Sequence, residues 1–259
     1  MNRIFTIAIF ACAVGLGLFF LALLFATVAE LVGGGPVKPP DGGEILFALK
    51  LSLITATAAA SLAFLVSLPV AYLLARFTFP GKSLLDTLLD LPLVLSPIAL
   101  GAMLLIFFNT SVGRALESRL GPFVFEAKGI VLAQFCVVIG LSLRLLKSAF
   151  EGIDVEYENL ARTLGCNRPQ AFLRVVLPLA RKGIAAAFLL TWGRAIGEFG
   201  ATVMLAGATP FKTETMPVAI SLSFGAADIS SALVFILILV AVSLGILFAV
   251  RRVKLFSYE

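Results

Sequence analysis

Histidine is absent from the 259 residues, and the three cysteines, Cys12, Cys136 and Cys166, stand far apart. A structural zinc site needs clustered Cys or His ligands, and a disulfide framework needs a closely spaced even set. Neither is legible. The missing histidine also removes the commonest general base, and no cysteine stands among acids, so nucleophilic or hydrolytic chemistry has no candidate residues. Charge is scarce too, at 14% of residues, where soluble domains carry about 25%. Apolar residues fill the space: 60% of the chain is hydrophobic and the mean hydropathy is +1.08. This is bilayer composition, and its unit is the spanning helix of about 20 residues. The net charge of +5 is no nucleic-acid footprint, because the basic residues are scattered through the loops between apolar runs.

Six apolar runs follow one another. Ile4 to Ala29 is too long for a signal-peptide core of about 7–15 residues, although Thr27-Val28-Ala29 resembles a cleavage site. A Gly/Pro loop, Gly33 to Gly43, leads to the second run, Ile45 to Ala75, which stops at Arg76. Gly81-Lys82-Ser83 resembles the tail of a phosphate loop, but Arg76 stands where that motif needs glycine and no strand precedes it. The third run, Leu84 to Asn109, is irregular. Asp86 and Asp90 share one face, and Pro92 and Pro97 are expected to interrupt it as a packing kink or a bend lining a pathway. A polar stretch to Ala127 includes a weak sequon at Asn109-Thr110-Ser111. Lys128 to Leu146, Gly183 to Ala206 and Ser231 to Val250 are the remaining spans, with loops Arg144 to Lys182 and Gly207 to Ser230 between them. The expected fold is all-α: one polytopic transmembrane domain over 1–259 with six transmembrane helices. Residues 1–44 form the first helix and outer loop, 45–250 the core, 144–182 a polar helical loop, and 251–259 a basic tail.

With both ends on one side, that side collects Arg3, Arg76, Lys82, Arg144, Lys147, Arg162, Arg168, Arg174, Arg181, Lys182, Arg251, Arg252 and Lys254. Lys38, Lys50, Arg114, Arg119, Lys128 and Lys212 fall opposite, and Arg194 lies inside a span. The positive-inside rule places the first set, the 144–182 loop and both ends in the cytoplasm.

That loop has helical composition from Glu151 to Leu164, a glycine stop at Gly165, and Pro169 placed to open a second short helix that Pro178 is expected to end. Resting on lipid headgroups is one use for such a pair. In the fifth span Arg194 and Glu198 are four apart and can pair, with Thr191 and Thr202 extending the face. Charges in a span are costly and mark function by default; a structural lock between helices is the equal alternative. Gly193, Gly197 and Gly200 permit close helix contact, including contact with a second copy.

Glu158-Asn159-Leu160-Ala161-Arg162-Thr163-Leu164-Gly165, nine residues, then Val175-Val176-Leu177-Pro178 resembles the EAA loop of ATP-binding-cassette import permeases, E-A-A-x3-G-x9-I-x-L-P. Ala161, Gly165, Leu177 and Pro178 match and Val175 replaces Ile; Asn159 stands at the Glu position with Glu158 beside it, and Leu160 at the first Ala. Leu91-Pro92-Leu93-Val94-Leu95-Ser96-Pro97, Arg194-Ala195-Ile196-Gly197-Glu198-Phe199-Gly200-Ala201-Thr202 and Thr213-Glu214-Thr215-Met216-Pro217 are similar to stretches of molybdate-type oxyanion permeases. The resemblance implies the inner-membrane subunit of an importer for molybdate or tungstate, with a sulfate-type permease as the alternative. Two copies would line one pathway. Two separate ATPase subunits would bind ATP and Mg, leaving this chain without cofactor, metal or catalytic residues. An extracytoplasmic solute-binding protein would deliver the anion. Coupling to the ATPase would fall to Glu158, Asn159, Ala161, Gly165, Val175, Leu177 and Pro178, the pathway to Arg194, Glu198, Thr202, Pro92 and Pro97, and packing or dimer contact to Gly193, Gly197 and Gly200. A secondary transporter using Arg194 and Glu198 as an ion relay is the competitor from another class.

Overall fold

The computed structural model describes residues 3–33 and 40–255, and every regular element among them is a helix. The middle of the Gly33–Gly43 loop, with Lys38, and the tail end 256–259 lie outside the described residues. The helices are α1 (Arg3–Gly33), α2 (Gly42–Arg76), α3 (Lys82–Val94), α4 (Pro97–Asn109), α5 (Ser111–Leu120), α6 (Ala127–Glu151), α7 (Val155–Thr163), α8 (Arg168–Ala171), α9 (Leu177–Ile196), α10 (Gly200–Ala206), α11 (Met216–Gly225) and α12 (Ile229–Leu255). Four of them, α1, α2, α6 and α12, are long and apolar enough to cross a membrane, and the bent pair α3–α4 makes a fifth span if counted as one. The chain is thus an all-helical polytopic membrane protein.

The centre is α2 packed along α6. Every third or fourth position of α2 is small and buried: Ala48, Ser52, Thr55, Ala56, Ala59, Ala63, Ser67 and Ala71. Small residues let helix backbones approach in a bilayer, where the hydrophobic effect gives no drive for association. The opposing face of α6 buries Ile130, Ala133, Gln134, Val137, Val138, Leu143, Leu146 and Phe150. α9 closes the trio. Ala195 and Ile196 join Ala56 and Val138 in one cluster, and Ala180 and Ala187 join Ala71 and Leu146 in another. Trp192 Nε1 donates to Thr57 Oγ1 at 2.9 Å and ties α9 to α2. α1 leans on α12 and keeps its apolar surface exposed along its length.

Two expected spans are broken. The run 84–109 is two helices meeting at 107°. Pro92 lies inside α3 without ending it; the break falls at Leu95 and Ser96, both extended, with ψ of 140° and 142°. The residue before a proline is pushed out of the helical region, and Ser96 Oγ then accepts from Ala99 N at 3.2 Å as the cap of α4. The run 183–206 breaks at Gly197–Phe199. Pro178, expected to end a helix, does not: α8 runs through a π-helical turn, Phe172–Val176, into α9 with Pro178 in its first turn. Leu177 N bonds Phe172 O in that wider register, which absorbs the donor that proline lacks.

The two breaks lie against each other. A Cβ on Gly101 of α4 would stand 2.7 Å from Met204 Cβ and 2.8 Å from the Ala201 backbone, and one on Gly200 would stand 2.9 Å from Ile98. Replacing Gly101 with leucine therefore overpacks the α4–α10 contact. The expected loss is about 1–3 kcal/mol, seen as a lower Tm in detergent; an unchanged Tm would refute the contact.

Candidate functional site

The loop between α6 and α9 begins with Asp154, whose carboxylate accepts from Glu156 N at 3.0 Å and caps α7. α7 ends in a Schellman turn: Cys166 N bonds Ala161 O and Gly165 N bonds Arg162 O, each at 3.1 Å. Gly165 has φ +94°, a conformation that only glycine adopts without strain. Asn167 and Gln170 form a reciprocal capping box for the next helix. Nine residues of α7 are thus fixed at both ends by their own sequence.

α7 has two faces. Glu158 and Ala161 are buried, whereas Tyr157 (55% accessible), Leu160 (61%) and, just beyond its end, Leu164 (80%) are exposed. Tyr157 and Leu160 border a cleft of about 460 Å³ with Asp154, Glu156, Asn159 and Thr163. Three apolar side chains held out by a rigid helix, rimmed by acids and an amide, have the chemistry of an interface. On the buried face, Glu158 accepts from Arg76 Nε at 2.5 Å and from Tyr72 OH at 2.8 Å.

The second feature is the break after α9. Glu198 is fully buried; it pairs with Arg194 Nη1 at 2.7 Å and accepts from Ala201 N at 3.1 Å at the start of α10. The neighbours Ala195 and Ile196 pack on Val138, close to the midpoint of α6, so the pair sits deep in the span. The Arg194 side chain is 39% accessible. A guanidinium at that depth does not face hydrocarbon, so its open side faces a water-filled space or another chain.

Residues 67–254 match the family described as binding-protein-dependent transport system inner membrane component. The chain belongs to that family. Its relatives include the molybdenum transport system permease protein ModB of Escherichia coli (strain K12), 40% identical over 69% of this chain and 77% of its own. The molybdate/tungstate transport system permease protein WtpB of Thermococcus kodakarensis is 34% identical over 97% of both chains. A sulfate transport system permease protein, CysW of Synechococcus elongatus, is 32% identical over 79% of this chain and 75% of its own. Among solved structures, a bacterial ABC transporter involved in the import of the acidic polysaccharide alginate superposes with a TM-score of 0.75 over 98% of this chain and 99% of its own, at 17% identity.

In this inner-membrane transport component, the residues singled out from the sequence divide into groups. Glu158, Asn159, Ala161 and Gly165 share the α7 segment; Val175 lies in the π turn, and Leu177 and Pro178 open α9. Only Asn159 and Gly165 among the first four are exposed. Thr202 is fully buried one turn beyond Glu198, and Pro97 abuts Gly200. Pro92 sits in α3, away from the break itself. A Cβ on Gly193 would stand 3.2 Å from Ile246 of α12, so Gly193 and Gly200 serve contacts within this chain, whereas Gly197 is exposed at the end of α9. Among the described residues no group of three or more His, Cys, Asp or Glu side chains could hold a metal.

Sequence reasoning missed three sets of residues. Tyr72 and Arg76 hold Glu158, and their signal was the i, i+4 spacing at the end of a span. Lys147 bonds Asp86 at 2.7 Å, and Arg144 Nε bonds Asp90 at 2.6 Å, fastening α3 to the C-terminal half of α6; two acids four apart and two bases three apart, each pair on one helix face, were that signal. Ser52 accepts from Met216 N at 2.7 Å and holds the first residue of α11 against α2; nothing in the sequence pointed to it.

Arg194→Ala leaves the Glu198 carboxylate buried with one backbone donor, an expected loss of about 3–5 kcal/mol. Adding Glu198→Gln should recover most of that loss in folded yield and Tm. Equal losses in the single and double variants would refute the pair as the buried charge's partner.

Proposed function

We propose that this chain is the permease subunit of an ATP-driven importer for a tetrahedral oxyanion, molybdate or tungstate, and that α7 is the helix its ATPase engages. The observation that carries this reading is α7 itself, a capped amphipathic helix on the basic side of the protein, exposing Tyr157, Leu160 and, just past its end, Leu164, and joined by the short Gly165 turn to α8, which runs on into α9. A helix that docks apolar residues in a partner's groove needs such rigidity and such a face.

The complete topology is read as six spans, with α3–α4 and α9–α10 as the two broken ones and both ends in the cytoplasm. The basic side chains of the 144–182 loop support that orientation. Two copies would meet around a pathway lined by the open side of Arg194. Arg194 suits the task because a guanidinium offers fork-like donors to the oxygens of a dianion, while its pairing with Glu198 keeps binding weak enough for release. ATP and Mg would be bound by two separate ATPase subunits, and an extracytoplasmic binding protein would supply the anion. Alternating access then means that ATP biases two packings of the same helices.

The substrate rests on the relatives named for molybdenum, molybdate and tungstate; sulfate is the alternative, favoured by the sulfate permease of lower identity. ATP hydrolysis by the reconstituted complex separates them. Stimulation by molybdate- or tungstate-loaded binding protein and not by the sulfate-loaded form is the expected result. Uptake that follows a proton gradient without any ATPase would overturn the reading in favour of a secondary transporter.

Gly165→Asp tests the α7 assignment. It places a charged side chain on a left-handed residue, at about 1–3 kcal/mol of backbone strain, where the exposed face ends. Membrane insertion should be retained, and ATP-driven uptake should fall at least tenfold, in the range of about 2 kcal/mol of lost coupling. Wild-type uptake in this variant would remove α7 from the coupling path.

A further inference from the structure

The EAA-like spacing points to one route from the loop into the membrane, along the chain through α8 and the π turn to α9. The structure holds a second connection. Glu158 lies on the face of α7 opposite Tyr157 and Leu160, and its carboxylate is shared by Arg76 and Tyr72, both on the last turn and a half of α2. The Arg76 and Glu158 side chains are only 7% and 11% accessible. Arg76 also donates through Nη2 to Ile153 O at 2.8 Å, in the turn that joins α6 to α7. One guanidinium therefore binds α2 to α7 and to the α6–α7 linker together.

Aromatic packing encloses the joint. The Tyr72 ring lies 4.5 Å from Phe172 of the π turn, 5.8 Å from Phe150 of α6 and 6.1 Å from Phe77, measured between ring centroids. Arg168 of α8 stacks over Phe77 at 5.4 Å. An apolar contact between α2 and α7 could slide, but a directional, charge-assisted bond set with acceptors on two elements resists sliding until it breaks. α2 is also the helix most extensively packed on α6, so a push delivered to α2 reaches the centre of the bundle.

We propose that Arg76 and Glu158 form a joint that transmits movement of α7 directly into α2, making Glu158 a positioning residue inside the protein rather than a contact to the ATPase. This rests on the permease reading above. The joint would move the inner ends of α2, α6 and α9 as one body when α7 is displaced.

The test uses the reconstituted complex of this chain, its ATPase and its binding protein, with molybdate uptake measured per ATP hydrolysed. Three variants are compared with wild type: Glu158→Gln, Arg76→Gln with Glu158→Gln, and Tyr72→Phe. Glu158→Gln and the double variant should each lower uptake per ATP about tenfold, and Tyr72→Phe by less, as expected for residues on a coupling route. The double variant leaves no unpaired buried charge, so it carries the test if Glu158→Gln alone fails to insert. A double variant that inserts and regains the wild-type ratio would make the pair a neutralised structural contact and overturn the joint. A wild-type complex with no ATP-driven uptake would overturn the permease reading and the joint with it, whereas wild-type coupling beside a normal double variant overturns the joint alone.

Discussion

Inside hydrocarbon a backbone N–H or C=O left without a partner costs several kcal/mol, and this protein interrupts two of its apolar runs. Everything between α3 and α10 is arranged around making those interruptions tolerable. At the first, Ser96 supplies the cap and Pro97 has no donor to lose. At the second, the Glu198 carboxylate takes the Ala201 N–H and is itself neutralised by Arg194. The breaks are then pressed together, Gly101 on Ala201 and Gly200 on Ile98, so close that a Cβ would not fit. Each break thus packs against the other. Such a pair is a natural place for movement, because helix ends absorb changes of φ and ψ that a continuous helix resists.

The charges obey the same economy. Arg76 closes α2, Arg144 and Lys147 lie in the C-terminal half of α6, and each is answered by an acid from a neighbouring element: Glu158, Asp90 and Asp86. These pairs differ in burial. Arg76–Glu158 is nearly closed to water, so leaving one partner alone would be severe; the Arg144 side chain is 53% accessible, where an ion pair is worth little. The distinction separates a joint from a fastening. It also explains why the basic residues that orient the protein are not spread evenly in its packing.

Most of the fold was legible because composition and run length are decisive in a bilayer. The four long helices were foreseen to within a few residues at most ends, though α1, α2, α6 and α12 all run further than their apolar cores. The breaks were less legible. Pro97 announced the first, but Pro92, five residues earlier, sits in α3 without ending it, since a helix tolerates proline in lipid when neighbours satisfy the freed carbonyl. The difference is the Ser96 cap just before Pro97. Pro178 misled in the same sense as Pro92, because a π turn is a register change that depends on the packing of Phe172 and Val176 and leaves no mark in periodicity. The candidate site divided similarly. Spacing found Arg194–Glu198 and the Gly165 turn, both local. It did not find Tyr72 and Arg76, which meet Glu158 across more than eighty residues.

That long-range meeting bears on how a small helix at the surface can matter to the whole bundle. A nine-residue helix cannot carry force by its own stability; isolated helices of that length are marginal. α7 is competent only because it is capped at Asp154, stopped at Gly165 and bonded at Glu158. Remove the last and the other two still shape the helix, but beyond its packing on the π turn they attach it to the bundle through chain, at Gly152–Asp154 on one side and Leu164–Asn167 on the other. A tether of a few residues transmits a pull better than a push. A buried ion pair transmits both, since approach is resisted by packing against Tyr72, Phe150 and Phe172 and separation by the bonds themselves. Driven in two directions during one cycle, as proposed, α7 would gain most from the contact that the linear motif does not contain.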